Sequence, residues 1–319
     1  LKKQYFFSFV LATLSFIAAK SLQKVGVENY YYEKATTFLK EDGFLNFTRP
    51  NRISLLPMGI QSFSDITFLD STVLICLQED KKSLVLLDLY SNHVSSPLNI
   101  NLPNKINDFS RIDSTIILLD DESRVHFLLP PYDSTSLVSE SDVLGAWKSS
   151  ATCIHESTRR MFILTQNNID NPVSNSIYTY NTSKRKLNEK VLFDILISDI
   201  ELFALENNIT IPKNKSTELN DTVSQFIFNP IAMSVHPKTN EIYILSLENR
   251  SIVVFNQFGE VIDIKILDEK LVSNPRAITF HPSGDLLISN SDLMSPAIVR
   301  IKWNKLFHSN TTHGLVPVR

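Results

Sequence analysis

Short apolar runs, each ended by a polar turn, alternate along most of this chain. The clearest example is Pro230-Ile231-Ala232-Met233-Ser234-Val235, then His236-Pro237-Lys238-Thr239-Asn240-Glu241, then Ile242-Tyr243-Ile244-Leu245-Ser246. Residues 274–290 repeat it, with His281-Pro282-Ser283-Gly284-Asp285 as the polar turn. Proline cannot donate to a sheet ladder, and Lys-Thr-Asn or Ser-Gly-Asp is turn chemistry, so each stretch predicts a β-hairpin. Residues 251–255 and 261–266 follow the first hairpin and alternate loosely, which predicts a third and a fourth strand, both half-buried. Residues 84–89 and 176–180 have the same character earlier in the chain.

The hairpin turns recur at a nearly constant interval. Phe68-Leu69-Asp70-Ser71, Arg111-Ile112-Asp113-Ser114, Ile154-His155-Glu156-Ser157, Val235-His236-Pro237-Lys238 and Phe280-His281-Pro282-Ser283 are the five copies. The interval is 43 residues from Asp70 to Asp113, 43 again to Glu156, 81 to Pro237 and 45 to Pro282. One four-stranded blade has that length, so the pattern predicts an all-β fold, a single β-propeller of four-stranded blades with five repeats countable. A β-sandwich is the competing arrangement, and it lacks a fixed internal period.

Two irregularities need an account. The last repeat has strands near 277–280, 286–289 and 297–303 and then nothing strand-like, while Arg52-Ile53-Ser54-Leu55-Leu56 precedes the first repeat without a partner. The N-terminal strand is therefore expected to close the ring as the outer strand of the last blade. The 81-residue step leaves room for either a sixth, degenerate blade or an insertion at about 196–226. The insertion is favoured: Ser198-Asp199-Ile200-Glu201 has capping-box spacing, and Leu202-Phe203-Ala204-Leu205-Glu206 continues as a short helix.

Composition narrows the function classes. A net charge of −3 leaves no basic footprint for nucleic acid, so none is expected as a partner. Lys2-Lys3 followed by the apolar residues 5–19 resembles an export signal, too short for a typical spanning helix. This divides the chain into residues 1–20, a signal peptide or N-terminal anchor; 21–50, a lead-in segment; 51–305, the propeller; and 306–319, a polar tail. Export would place the protein in the periplasm or cell envelope, and residues 5–19 are the only expected membrane contact. Cys76 and Cys153 fall on apolar strands of different blades and are expected as separate buried thiols. Seven Asn-x-Ser/Thr sequons occur and carry no weight in a chain this rich in Asn and Ser.

The hairpins of residues 230–246 and 274–290 resemble those of the SdiA-regulated family, exported bacterial propellers distantly related to phytase-like and NHL-type propellers. Weaker agreement runs back through 147–165, 105–127 and 64–89. In that family the innermost strands begin with Glu-Gly or Ser-Gly pairs facing the central channel, and the acidic ones are plausible cation ligands. The resemblance thus implies calcium, but the corresponding pairs here are Ser64-Asp65, Asn107-Asp108, Ser150-Ala151, Ile231-Ala232 and Arg276-Ala277. None keeps Glu-Gly. A hard cation wants six or more oxygens, so no cofactor and no metal site are expected.

The channel-facing candidates for binding are Ser64, Asp65, Asn107, Asp108, Ser150 and Arg276, with Arg276 expected to pair with one of the aspartates. His155, His236 and His281 share one repeat position, but blades radiate from an axis, so these are read as turn residues and not as zinc ligands. His93, His126, His308 and His313 are isolated. Asp120-Asp121-Glu122 and Glu79-Asp80-Lys81-Lys82 read as charged turns, and Trp147 and Trp303 as packing residues. No Gly-rich phosphate loop and no Gly-x-Ser-x-Gly elbow is present, and no catalytic residue is assigned. The first expectation is an exported binding or scaffold propeller that uses one face or the channel mouth for an envelope protein or a small ligand. The alternative is a divergent metal-dependent hydrolase of esterase, lactonase or phytase type, which rests on fold analogy.

Overall fold

The computed structural model describes residues 51–55, 60, 62–78, 83–98, 100, 104–142, 149–165, 174–212, 228–292 and 296–302. The expected signal, lead-in and tail, Trp147, Trp303, residues 79–82, His308, His313 and the polar part of the insertion lie outside them.

Strands in this chain pair with their sequence neighbours, and the result is five four-stranded antiparallel sheets. The first blade holds β2 (Phe63–Phe68), β3 (Val73–Gln78), β4 (Leu84–Asp88) and β5 (His93–Val94). The second holds β6 (Ile106–Ile112), β7 (Thr115–Asp120), β8 (Arg124–Leu128) and β9 (Leu137–Asp142). The third holds β10 (Ser149–His155), β11 (Arg160–Thr165), β12 (Ser174–Asn181) and β13 (Lys186–Leu196). The fourth holds β14 (Pro230–Val235), β15 (Ile242–Ser246), β16 (Ser251–Phe255) and β17 (Val261–Ile266). In the fifth, β18 (Pro275–Phe280), β19 (Leu286–Asn290) and β20 (Ala297–Ile301) are joined by β1 (Asn51–Ser54). The expected closure is observed: Arg52 lies opposite Val299 and Ile53 opposite Ile298.

The first strands of successive blades, β2, β6, β10, β14 and β18, touch in order, and β18 returns to β2. That contact makes a five-bladed ring. The described residues belong to one compact unit. The long third interval is an insertion and not a sixth blade. It consists of a long β13, helix α1 (Ile197–Glu206), and the residues that follow. The helix starts straight from β13 with Leu196 at its N-cap and no side-chain cap, so Ser198 and Glu201 do not form the expected capping box. Ile200 and Ala204 are its buried residues and pack into the core between the third and fourth blades.

Burial explains the apolar runs. All five residues of β15, β16 and β19 are buried, because both faces of a blade are covered by neighbouring blades. The third strand β16 is therefore not half-buried as its sequence suggested. The outer β17 of that blade is the more exposed strand, with Ile264 its one buried residue. Separate apolar clusters fill the gaps between blades: Ile75, Leu84, Phe109 and Leu118 between the first and second, Ile117, Phe127, Met161 and Tyr180 between the second and third. Tyr243, Ile252, Ile278 and Phe280 do so between the fourth and fifth.

Candidate functional site

Every inner strand carries a β-bulge at the same place. The register slips between Phe63 and Asp65, Ile106 and Asp108, Ser149 and Ala151, Pro230 and Ala232, and Pro275 and Ala277. The extra residue in each blade is the first member of the aligned pair: Ser64, Asn107, Ser150, Ile231 and Arg276. A bulge kinks the strand and re-aims the residues beside it. This explains why five blades keep the pair at one position while its chemistry varies.

Three of the bulged side chains bond within their own blade and one reaches the next. Ser64 Oγ donates to the carbonyl of Gln78 at 3.1 Å, and Ser150 Oγ approaches that of Leu164 at 3.4 Å, both across to the second strand of the same blade. Asn107 Nδ2 donates to the Ser149 carbonyl of the next blade at 2.6 Å. Arg276 Nε donates to Ser291 Oγ at 2.9 Å, and among the described residues it pairs with neither aspartate.

The second members behave differently. Asp65 Oδ1 accepts the N–H of Ile66 at 2.7 Å and Oδ2 accepts that of Phe109, one blade on, at 3.1 Å. Asp108 repeats the arrangement: Oδ1 accepts from Phe109 at 2.7 Å and Oδ2 from Thr152 in the third blade. Two carboxyls thus stitch three inner strands, and both meet at the N–H of Phe109. Burial pushes Asp65 well above the ordinary carboxyl range, and the charge of Asp108 and a hydrogen bond to it push it further. Asp65 therefore keeps its proton to a higher pH than an exposed aspartate does.

A cavity of about 580 Å³ runs along the inner strands from Asp65 to the hairpin turns. From Asp65 to Phe68 it is about 10 Å deep at strand rise. Asp65 and the polar Thr67, Ser110, Thr152, Ser234 and Thr279 line it together with apolar side chains such as Phe68, Phe109, Ile154, Val235, Ile278 and Phe280. Glu156, Ser157, Arg111, Pro237, Asn240 and Pro282 surround its mouth. Of the six candidates from sequence, Asp65 alone lines this cavity; Asp108 is buried at its edge, and Ser64, Asn107, Ser150 and Arg276 are outside its lining. Aligning the repeats did not mark Thr67, Ser110 and Thr279, although each lies two residues beyond the second member of its pair.

The turn histidines act in the blades. His155 Nδ1 faces Thr158 Oγ1 at 2.9 Å. The N–H of Thr239 donates to His236 Nδ1 at 3.1 Å, and that of Ser283 to His281 Nδ1 at 3.0 Å. His281 Nε2 donates to the Ser71 carbonyl of the first blade at 3.0 Å, across the ring closure, and its ring meets Phe68 edge-on. Burial pushes all three histidines below their ordinary value, so the neutral form is favoured. Cys76 and Cys153 are free and buried, and burial pushes both thiols well up, away from the reactive thiolate. Among the described residues, no group of three or more His, Cys, Asp or Glu is placed to hold a metal ion, and no helix is long and apolar enough to cross a membrane.

No family model matches the chain, and no curated protein matches it. Solved structures are similar in fold. Myxococcus xanthus glutaminyl cyclase shares 10% identity, with a TM-score of 0.49 over 80% of this chain and 94% of that one. A luciferin-regenerating enzyme shares 9%, with a TM-score of 0.47 over 79% and 95%. The Myceliophteria thermophila Cps50 (Swd1) β-propeller domain shares 10%, with a TM-score of 0.45 over 78% and 99%. At this distance they say nothing of function, and the architecture stands on the strand pairing itself.

Proposed function

We propose that this chain is a binding propeller without a catalytic centre, of the SdiA-regulated kind, that takes its ligand or protein partner at the mouth of the central channel. The observation that carries this reading is how Asp65 and Asp108 spend their oxygens. All four accept backbone N–H groups, and burial favours the protonated form of Asp65. A calcium-dependent hydrolase needs ionised carboxylates with open lone pairs converging on one point. The oxygens of this pair turn to backbone donors on three separate strands and not to one point, and Arg276 is committed to Ser291. Export to the bacterial envelope, with residues 5–19 as signal or anchor, is part of the same proposal.

Purified protein should turn over no ester, lactone or phosphomonoester, with or without calcium. Calcium titration calorimetry should give no heat of binding. Hydrolysis that depends on calcium and disappears in Asp65→Asn would replace this reading with the hydrolase. Fusion of residues 1–50 to a reporter active only outside the cytoplasm tests export; a silent reporter removes that part of the proposal.

A further inference from the structure

The inner strands have one unpaired edge, and it faces the channel. Which backbone groups point there follows from the ladders. The N–H of Leu69 bonds the Val73 carbonyl, that of His236 the Glu241 carbonyl and that of His281 the Asp285 carbonyl. In antiparallel pairs, bonded and non-bonded positions alternate. Counting back from these turns, Ile66, Met233 and Ile278 occupy non-bonded positions opposite Cys76, Ile244 and Ile288. Their N–H groups therefore point away from the second strand, toward the axis. The N–H groups of Phe109 and Thr152, at the equivalent place in the second and third blades, reach the aspartates there.

One level of the channel thus carries five inward N–H groups, one per blade. Asp65 and Asp108 satisfy those of Ile66, Phe109 and Thr152. In the fourth and fifth blades the aspartate position is Ala232 and Ala277, so among the described residues no carboxylate stands at the N–H groups of Met233 and Ile278 as Asp65 and Asp108 stand at the others. A buried N–H of this kind is costly unless something from outside accepts it. Asp65 is the template for what fits, since its two oxygens span the N–H groups of adjacent blades at 2.7 and 3.1 Å. Across from that gap lie the Asp65 and Asp108 carboxyls, with Asp65 on the cavity wall of the blade adjoining the fifth.

Resting on the reading of this channel as a binding site, we infer that its inner end takes a primary-ammonium carboxylate of the α-amino-acid class. The ligand carboxylate bridges the N–H groups of Met233 and Ile278. Its ammonium donates to the Asp65 and Asp108 carboxyls, whose oxygens keep a second lone-pair site beyond the backbone N–H each accepts. A carboxylate alone would bring the two aspartates a further acceptor and no donor, and an amine alone would leave the two N–H groups unsatisfied. The side chain runs toward the mouth past Phe68, Ile154, Val235 and Phe280 and past Thr67, Ser110, Ser234 and Thr279, so the wall accepts an apolar side chain without demanding one.

Calorimetry of the full chain with L-leucine, 4-methylvalerate and isoamylamine tests this directly. Each lost charge-assisted contact should weaken binding by about tenfold or more, so L-leucine should bind best of the three. Ala232→Asp should place a carboxylate over the Met233 and Ile278 N–H groups and abolish L-leucine binding, whereas Ala232→Ser, which adds no charge, should retain it. The ligand series stands by itself if Ala232→Asp fails to fold. No heat with L-leucine at about 10 mM, or equal affinity for 4-methylvalerate or isoamylamine, overturns the inference. Saturable binding of a different ligand class in the channel would do the same while leaving the binding reading in place; turnover of a lactone or ester would overturn the binding reading instead.

Discussion

Asp285→Ala should be among the most damaging single substitutions in the ring-closing blade. Arg300 Nε and Nη2 both bond Asp285 Oδ2, at 2.9 and 2.6 Å, and the two side chains are only 7% and 12% exposed. Removing one partner leaves a charged guanidinium in a site with little water, which costs about 3–5 kcal/mol. At about 2–4 °C of Tm per kcal/mol for a chain of this size, the melting temperature should fall by about 6–20 °C. The loss comes from the stranded charge and not from the pair's own worth. Asp285→Ala combined with Arg300→Met should therefore recover more than half of the loss. Urea unfolding of wild type, both single variants and the double variant gives the comparison. A single-variant cost below about 1 kcal/mol, or a double variant no more stable than Asp285→Ala, would refute the reasoning.

Asp108→Ala takes the carboxylate from the Thr152 N–H and should cost about 1.5–3 kcal/mol by urea unfolding. Asp65→Ala should cost less, because the Phe109 N–H keeps Asp108 and cavity water reaches Ile66; equal costs would contradict this. Leu55, fully buried just beyond β1, should cost about 2–5 kcal/mol when cut to Ala, which measures how much the closing segment contributes. The histidines predict acid sensitivity. Their folded values are held below the ordinary one of about 6.5, so the unfolded chain binds more protons, and stability is full above that pH and declines as pH falls through and below it. Melting temperatures at pH 7.5 and 5.5 should show that decline, with a smaller drop in His281→Gln; an unchanged drop would remove His281 from the account.

The blade hairpins were legible because their signals are local. Pro237 and Pro282 cannot donate to a ladder, and the polar residues around them turn the chain wherever it lies. The closing strand was legible for a similar reason, since an apolar stretch and an incomplete blade each lacked a partner. The capping box at Ser198 was misread because β13 runs straight into the helix and leaves the cap position to Leu196. The half-buried reading of residues 251–255 failed because burial of a third strand depends on two neighbouring blades, and alternation within five residues does not report them. Arg276 illustrates the same limit. Its place beside the axis was visible, but its partner Ser291 lies 15 residues on and is brought there by the fifth blade's own ladder.

The sequence by itself determined that this is a propeller and where its turns fall, because period and turn chemistry are properties of adjacent residues. It also marked the pair at the head of each inner strand as the place where blades differ. Only the tertiary structure decided what that pair does. The bulge sends its first member back into the sheet, and ladder parity aims the next N–H at the axis. Ring closure then brings five such groups to one level, where two aspartates serve three of them. Donor direction depends on which strand edge is paired, and the meeting of Asp65 and Asp108 at the Phe109 N–H depends on distances between blades, so neither is written in any one repeat.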